Sequence, residues 1–389
     1  MLNNSFQAAK NFLPDQYLDS SQFKINHNYL SSQFSDYKEI FEELIEVVLT
    51  NDFTLGSKVD QFENKFANLH NSRFGIGVGS GTDAIFLSLK ALGIGPGDEI
   101  ITSPFTFFAT VGAIATTGAK PIFVDVELDG FNIDISLIES AITSKTRAIV
   151  PVHWAGRICN MKEIRALADH HNLVVVEDAC HAVAATRDGY FAGQFSDAAC
   201  FSLHPLKNLN VWGDGGIILT NSEETASRLR LLRNHGLINR DECIEFAYNS
   251  RLDTIQAVIG GHLFKKLPNI TQSRITNSMY LDSQLNSVKQ IQLNTRNENI
   301  KEVFHLYSFL CKDRDGLQNF LKSEGIDAKI HYPIPLHLQR AANYLNYKVG
   351  DFPVSEYISK HIISLPVHEF ITKPQLDFMA QMIRKYYGT

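Results

Sequence analysis

Cysteine is scarce in this chain of 389 residues: five, at Cys159, Cys180, Cys200, Cys243 and Cys311, an odd number with no CxxC pair. That pattern supports neither a disulfide framework nor a cysteine-based zinc site, so the thiols read as reduced and buried and no metal is expected. Long apolar runs are missing as well. No stretch of about 18 apolar residues could cross a bilayer, and the opening MLNNSFQAAKNFLPDQ lacks the charged and apolar blocks of a secretory leader. The expectation is a soluble, cytoplasmic protein without membrane contacts. Nor is there an excess of positive charge: 36 basic residues face 42 acidic ones, a formal net charge of -6. With both signs spread along the chain, no basic stripe marks a nucleic-acid partner, and an anionic ligand needs a local site.

What is abundant is apolar material, 44% of the residues, enough for a large core and a second, smaller one. Residues 1–30, rich in Asn, Gln and Ser, read as an N-terminal arm that orders only against another surface. Helical spacing follows at Asp36 to Leu49 and Val59 to Leu69. Then apolar runs alternate with helical segments: FGIGV, EIITS, PIFVDV, AIVPV and LVVVED. Such alternation predicts an α/β domain, residues 31–270, with a mostly parallel central sheet flanked by helices. The runs are continuously apolar, as in strands covered on both faces. Residues 271–389 read as a small C-terminal α+β domain.

In such sheets ligands gather at the carboxyl ends of the strands. Gly79-Ser80-Gly81-Thr82-Asp83 follows the first strand and opens a helix. Its N–H groups suit a phosphate, although a plain strand-to-helix turn reads the same way. Glu177-Asp178 closes LVVVED. One reading is a helix N-cap; the other is a carboxylate, Asp178, that keeps a proton on a heterocyclic ring nitrogen, as pyridoxal phosphate requires. Lys207, in SLHPLKNL before the turn GDGG, lies among apolar residues. It is either an exposed loop lysine or a buried amine of lowered pKa, free to form a Schiff base.

Taken together, GSGTDA, PFTFFAT, FVDV, PVHWAG, VVEDACHA, FSLHPLKN, GDGG, YNSRLDTIQA, HYPIPLH and SLPVH resemble the DegT/DnrJ/StrS family of sugar aminotransferases. These enzymes depend on pyridoxal phosphate and have the aspartate-aminotransferase-like fold, type I. The resemblance runs from about residue 50 to the C-terminus; the N-terminal arm is longer than the family needs. It implies that Lys207 carries the cofactor as a Schiff base, that Asp178 pairs with the ring nitrogen and that His181 lies near the ring hydroxyl. It further implies that Phe107 stacks on the ring and that Gly81, Thr82, Asp83 and Ser202 bind the phosphate. Asn249 would reach the phosphate of a neighbouring subunit in a homodimer with shared sites, or else cap the helix near Asp253. His153 and His331 are candidate substrate residues or satisfied core histidines.

The implied reaction is a two-stage transamination through pyridoxamine phosphate, from glutamate or glutamine to a keto sugar, with Lys207 moving the proton. Having Lys207 speaks against the ketosugar dehydratases of the family, which carry His there. Asp214 in GDGG resembles enzymes acting on nucleotide-linked 3-keto-deoxysugars; Glu is more usual in 4-keto enzymes. A 4-keto substrate and a keto sugar or cyclitol without a nucleotide are the alternatives. The product would serve a surface polysaccharide, lipopolysaccharide or secondary metabolite. A non-catalytic regulatory protein of the same fold is the reading from another class.

Overall fold

The computed structural model describes residues 23–389; the expectation for residues 1–22 lies outside the described residues. The first strands are β1 (Phe74–Val78), β2 (Glu99–Thr102), β3 (Lys120–Phe123), β4 (Thr146–Ile149) and β5 (Val174–Asp178). A short hairpin, β6 (Thr186–Arg187) and β7 (Tyr190–Phe191), precedes β8 (Ala198–Ser202) and β9 (Gly216–Thr220). The seven-stranded central sheet has the order β1-β9-β8-β5-β4-β2-β3. Neighbours from β8 to β3 are parallel, and β9 runs antiparallel to both β1 and β8.

The longer helices of the first part are α1 (Tyr37–Thr50), α2 (Ser57–Leu69), α3 (Gly81–Ala91), α4 (Phe108–Thr116), α5 (Met161–His170), α6 (Glu223–Leu232) and α7 (Thr254–Phe264). Side chains alternate across a strand, so each apolar run feeds two cores. Val176 and Ile218 pack with residues of α3, α4 and α6 on one face, while Val175, Ile217 and Leu219 pack with α2, α5 and α7 on the other. This two-sided cover is why the runs lack in-out alternation.

A long helix, α8 (Leu267–Leu285), leads to the second part, and the domain boundary expected at residue 270 falls inside it. Leu267 and Ile270 join the large core, whereas Leu281 and Leu285 join a second one. Periodicity does not reveal this helix, because LPNITQSRITNSMYLDSQL is crowded with Asn, Ser, Thr and Gln. Several of these, such as Thr271, Asn277 and Ser278, are on its buried face. The second core lies against the sheet β10 (Ile291–Gln292), β12 (Tyr307–Cys311) and β13 (Ile362–Leu365), whereas β11 (Ile300–Lys301) pairs with β6. Helices α9 (Arg314–Ser323) and α11 (Lys373–Tyr387) complete it, and α10 (Pro353–His361) precedes β13.

Residues 23–30, assigned to the arm, order against their own chain. Ile25 is 2% exposed within the second core and bridges Ile326 in parallel. Gln33 follows it and ties two regions together: its Oε1 accepts from Asn210 at 2.8 Å, and its Nε2 donates to Glu369 at 3.1 Å. The thiols also depart from expectation at two positions. Cys159, Cys200 and Cys311 are buried, but Cys243 is exposed in a loop and Cys180 only partly covered.

Candidate active site

The carboxyl ends of β1, β2, β5 and β8 supply the residues the motifs single out. After β1, Ser80 caps α3 by accepting the Asp83 N–H at 3.0 Å, and its carbonyl takes the Ala84 N–H. The first-turn N–H groups left for an anion are those of Gly81 and Thr82. Small residues are obligatory here: a Cβ on Gly81 would stand 2.7 Å from the Ser202 Cβ, and one on Gly216 would stand 2.3 Å from the Ser80 carbonyl oxygen. Ser202 ends β8 opposite Gly216, so its hydroxyl lies beside this turn. The Asp83 carboxylate has a different task from phosphate binding. It accepts the Ser250 hydroxyl at 2.9 Å, and Ser250 accepts the Gly79 N–H at 3.1 Å, which fastens the turn to the YNSRLD segment.

Asp178, 5% exposed, ends β5. Its Oδ2 accepts the Thr110 hydroxyl at 2.6 Å and its Oδ1 the Cys180 N–H at 3.2 Å. The neighbouring Glu177 points to the opposite face of the sheet, where it accepts from His153 Nε2 at 2.6 Å and from the Gly193 N–H at 2.8 Å. The Nδ1 of His153 accepts the Cys159 N–H at 3.2 Å. His153 is thus a fully buried core histidine with both nitrogens occupied.

Lys207 is partly buried in a loop held from both sides. Its own N–H donates to the His204 carbonyl at 2.8 Å, its carbonyl accepts from Asn210 at 2.8 Å, and Asn208 donates to the Val303 carbonyl at 2.9 Å. Burial holds the amine below its usual pKa, while Cys180 and Asp178 act in the other direction. The loop leaves the end of β8, the parallel neighbour of β5, so Lys207 lies at the same edge of the sheet as Asp178 and Cys180. Three histidines lie within electrostatic reach of Lys207. His181 accepts the Ala155 N–H on Nδ1 at 3.3 Å, and its ring centroid lies 4.3 Å from that of His305. Burial holds both well below the ordinary histidine value, helped by the Lys207 charge and, for His305, by His181. His331 is lowered to about 3 by burial and by nearby His27, Lys329 and Lys207. At neutral pH the three imidazoles are uncharged and able both to donate and to accept hydrogen bonds.

Phe107, at the N-cap of α4, is half exposed, with its ring 6.0 Å from that of Tyr332. Asp178, His181 and His331 thus each lie within electrostatic reach of Lys207, at the edge of the sheet where the Gly79–Asp83 turn and Ser202 also stand. Asn249 stands apart. It is exposed and bridged through its backbone to Asn234. Asp253 occupies the N-cap of α7, so Asn249 does not cap that helix. Thr110, Ser250, His305 and Tyr332 carry no motif signal of their own, although Thr110 and Tyr332 lie within PFTFFAT and HYPIPLH.

The cradle and the donor set fit pyridoxal phosphate: free N–H groups at a helix start, a hydroxyl, an ionisable amine and a buried carboxylate. Residues 35–384 match the model of the DegT/DnrJ/EryC1/StrS aminotransferase family. The chain belongs to this family. It is similar to the pleiotropic regulatory protein of Geobacillus stearothermophilus, with 41% identity over 92% of this chain and 97% of the relative. It is also similar to the UDP-N-acetyl-3-dehydro-alpha-D-glucosamine 3-aminotransferase of Acidithiobacillus ferrooxidans, with 38% identity over 89% and 93%. Among solved structures, that of S. venezuelae DesV in complex with a ketimine intermediate superposes with a TM-score of 0.91 at 34% identity, covering 94% of this chain and 99% of that one. The Bacillus subtilis ntda structure with bound cofactor PMP gives 0.87 at 29% identity over 98% and 92%. The DegT-family chain is a pyridoxal-phosphate-dependent sugar aminotransferase of fold type I. Among its described residues, no helix is long and apolar enough to cross a membrane.

Proposed function

We propose that this aminotransferase moves an amino group from glutamate, or from glutamine, to a nucleotide-linked 3-keto-deoxysugar in amino-sugar biosynthesis. The observation that carries the chemistry is the Lys207 amine, made less basic by its surroundings and within electrostatic reach of Asp178. A relative that is named for a 3-keto nucleotide sugar supports the choice of acceptor, as does Asp214 in the turn after Lys207. When bound, the cofactor supplies an electron sink that lets a carbon next to nitrogen release its proton.

Each residue then has a task. Lys207, made less basic by burial, attaches the cofactor and, once displaced by the incoming amine, takes and returns the proton at the reacting carbon. Asp178 keeps the pyridine nitrogen protonated. The N–H groups of Gly81 and Thr82 and the Ser202 hydroxyl hold the phosphate, and Phe107 covers the ring. His181 keeps Nδ1 on the Ala155 N–H, so its Nε2 carries the proton it can offer to the ring oxygen. Neutral His331 and Tyr332 suit a hydroxylated sugar better than a charged wall would.

We place Asn249 in the partner's site of a homodimer. Exposed apolar side chains around it support this reading: Phe246 is 103% exposed, and Ile238, Ile244 and Tyr248 are also exposed. A monomer seldom leaves such a patch uncovered.

A panel of nucleotide-linked keto sugars assayed with glutamate, using wild type and Lys207→Ala, tests the reading. Turnover of a 3-keto substrate by wild type alone supports it. Near-native turnover by Lys207→Ala overturns the lysine assignment, and a preference for 4-keto sugars overturns the acceptor.

A further inference from the structure

More than its position at a strand end holds Asp178. The Thr110 hydroxyl, donating to its Oδ2 at 2.6 Å, itself lies 3.0 Å from the Thr106 hydroxyl. Counting protons gives the direction of this chain. An ionised carboxylate only accepts, and a threonine hydroxyl has one proton to give. Thr110 gives its proton to Asp178, so it must accept from Thr106, and the chain runs Thr106 to Thr110 to Asp178. All three are buried, at 3%, 0% and 5% exposure, so water does not compete.

Threonine in a helix commonly returns its hydroxyl to the carbonyl four residues back. Thr50 does so with Glu46, and Thr116 with Gly112. Thr110, in the first turn of α4, instead turns across to β5. The bond is a contact between α4 and β5 that requires this particular side chain.

We propose that Thr110, oriented by Thr106, is a positioning residue that keeps the Asp178 carboxylate aimed at the pyridine nitrogen of the cofactor. The proposal rests on the assignment of Asp178 given above. A hydrogen bond to the charged form of an acid favours that form, and a donor that is itself an acceptor in a chain is strengthened by polarisation. Without the hydroxyl, the carboxylate loses the bond that fixes its orientation, the ring nitrogen is less well held in its protonated form, and the electron sink weakens.

The test uses full-length enzyme carrying cofactor labelled with ¹⁵N at the pyridine nitrogen, in wild type, Thr110→Val, Thr110→Ser, Thr106→Val and Asp178→Asn. Thr110→Val is expected to lower kcat about 10- to 100-fold, the weight of one hydrogen bond to a charged group. Its ¹⁵N shift should move towards that of neutral pyridine. Thr110→Ser should restore both readouts to within a few-fold, and Thr106→Val should show a smaller change in the same direction. A wild-type ¹⁵N shift in Thr110→Val overturns the proposal, whatever its kcat. So does equal impairment of the Val and Ser variants, which marks a packing defect. Asp178→Asn separates the two levels. Full activity there removes the Asp178 assignment itself, whereas an impaired Asp178→Asn beside an unaffected Thr110→Val removes only the role of Thr110.

Discussion

Replacing Gly81 with alanine probes how tightly the phosphate turn is seated on the sheet. The added Cβ would stand 2.7 Å from the Ser202 Cβ, 3.0 Å from the Cys180 Sγ and 3.1 Å from the Ser202 Cα. Carbon atoms settle at about 3.5–4.0 Å, so roughly 1 Å must be found by moving the start of α3 away from β8. Ser202 cannot retreat, because β8 is buried throughout and hydrogen-bonded on both sides. Overpacking of this kind costs about 1–3 kcal/mol. For 389 residues unfolding as one unit, an entropy of about 2.1 cal/mol/K per residue turns that cost into a fall in Tm of about 1–4 °C. The effect on cofactor should be larger. The same shift carries the Gly81 and Thr82 N–H groups away from the phosphate, and each charge-assisted bond lost weakens binding about tenfold or more. Calorimetry of the cofactor-free protein and an absorbance titration with pyridoxal phosphate measure the two effects. Gly112→Ala in α4 is the control. Nothing lies within 4 Å of its Cβ position, and alanine there should stabilise the protein by about 0.4–1 kcal/mol. A Gly81→Ala variant with wild-type Tm and cofactor affinity refutes the packing argument.

Two further outcomes concern Lys207 and Asn249. Lys207 is less basic folded than unfolded because it is buried, so between its lowered native value and 10.5 the unfolded chain binds more protons and stability rises with pH. Cofactor-free Lys207→Met should therefore melt above cofactor-free wild type at neutral pH, with the gap narrowing towards pH 10; a gap that does not change across a pH series contradicts the burial argument. If Asn249 completes the partner's site, mixing Lys207→Ala with Asn249→Ala subunits should restore activity through the one unaltered site of each mixed dimer. No recovery after verified exchange, with the Asn249→Ala parent shown to be impaired, dismisses the shared site.

The large domain was readable because its signals are local. Continuous apolar runs such as LVVVED and FGIGV mark doubly covered strands, and the Gly79–Asp83 turn announces a helix start. Lys207 and Asp178 stand out through an ordered set of motifs, not through either residue alone. What stayed hidden depends on contacts across the fold. The reversed direction of β9 is decided by its partners, since GIILT reads the same either way. Helix α8 buries Thr271, Asn277 and Ser278, so its apolar stripe is broken. For His153 the sequence leaves a substrate residue and a satisfied core histidine equally open, and only the pairing with Glu177 shows it buried in the core. Thr110 acquires its role only when α4 is laid against β5.

The tie between Ile25 and Ile326 has a consequence for how the enzyme is made. His27 and Asp327, which follow that bridge and bond to each other, are separated by 300 residues. At about 5–20 residues per second, a ribosome needs about 15–60 s to add that length. Before this interval ends the strands and helices of the large sheet, the last of them α7 at Thr254–Phe264, have all been made and can assemble, whereas the segment carrying Ile25 still has nothing to pair with. Gln33, eight residues after Ile25, braces the Lys207 loop through Asn210. That brace is secured at its other end, Glu369, only when the last third of the chain has arrived, so the Lys207 loop is among the last features to be set in place.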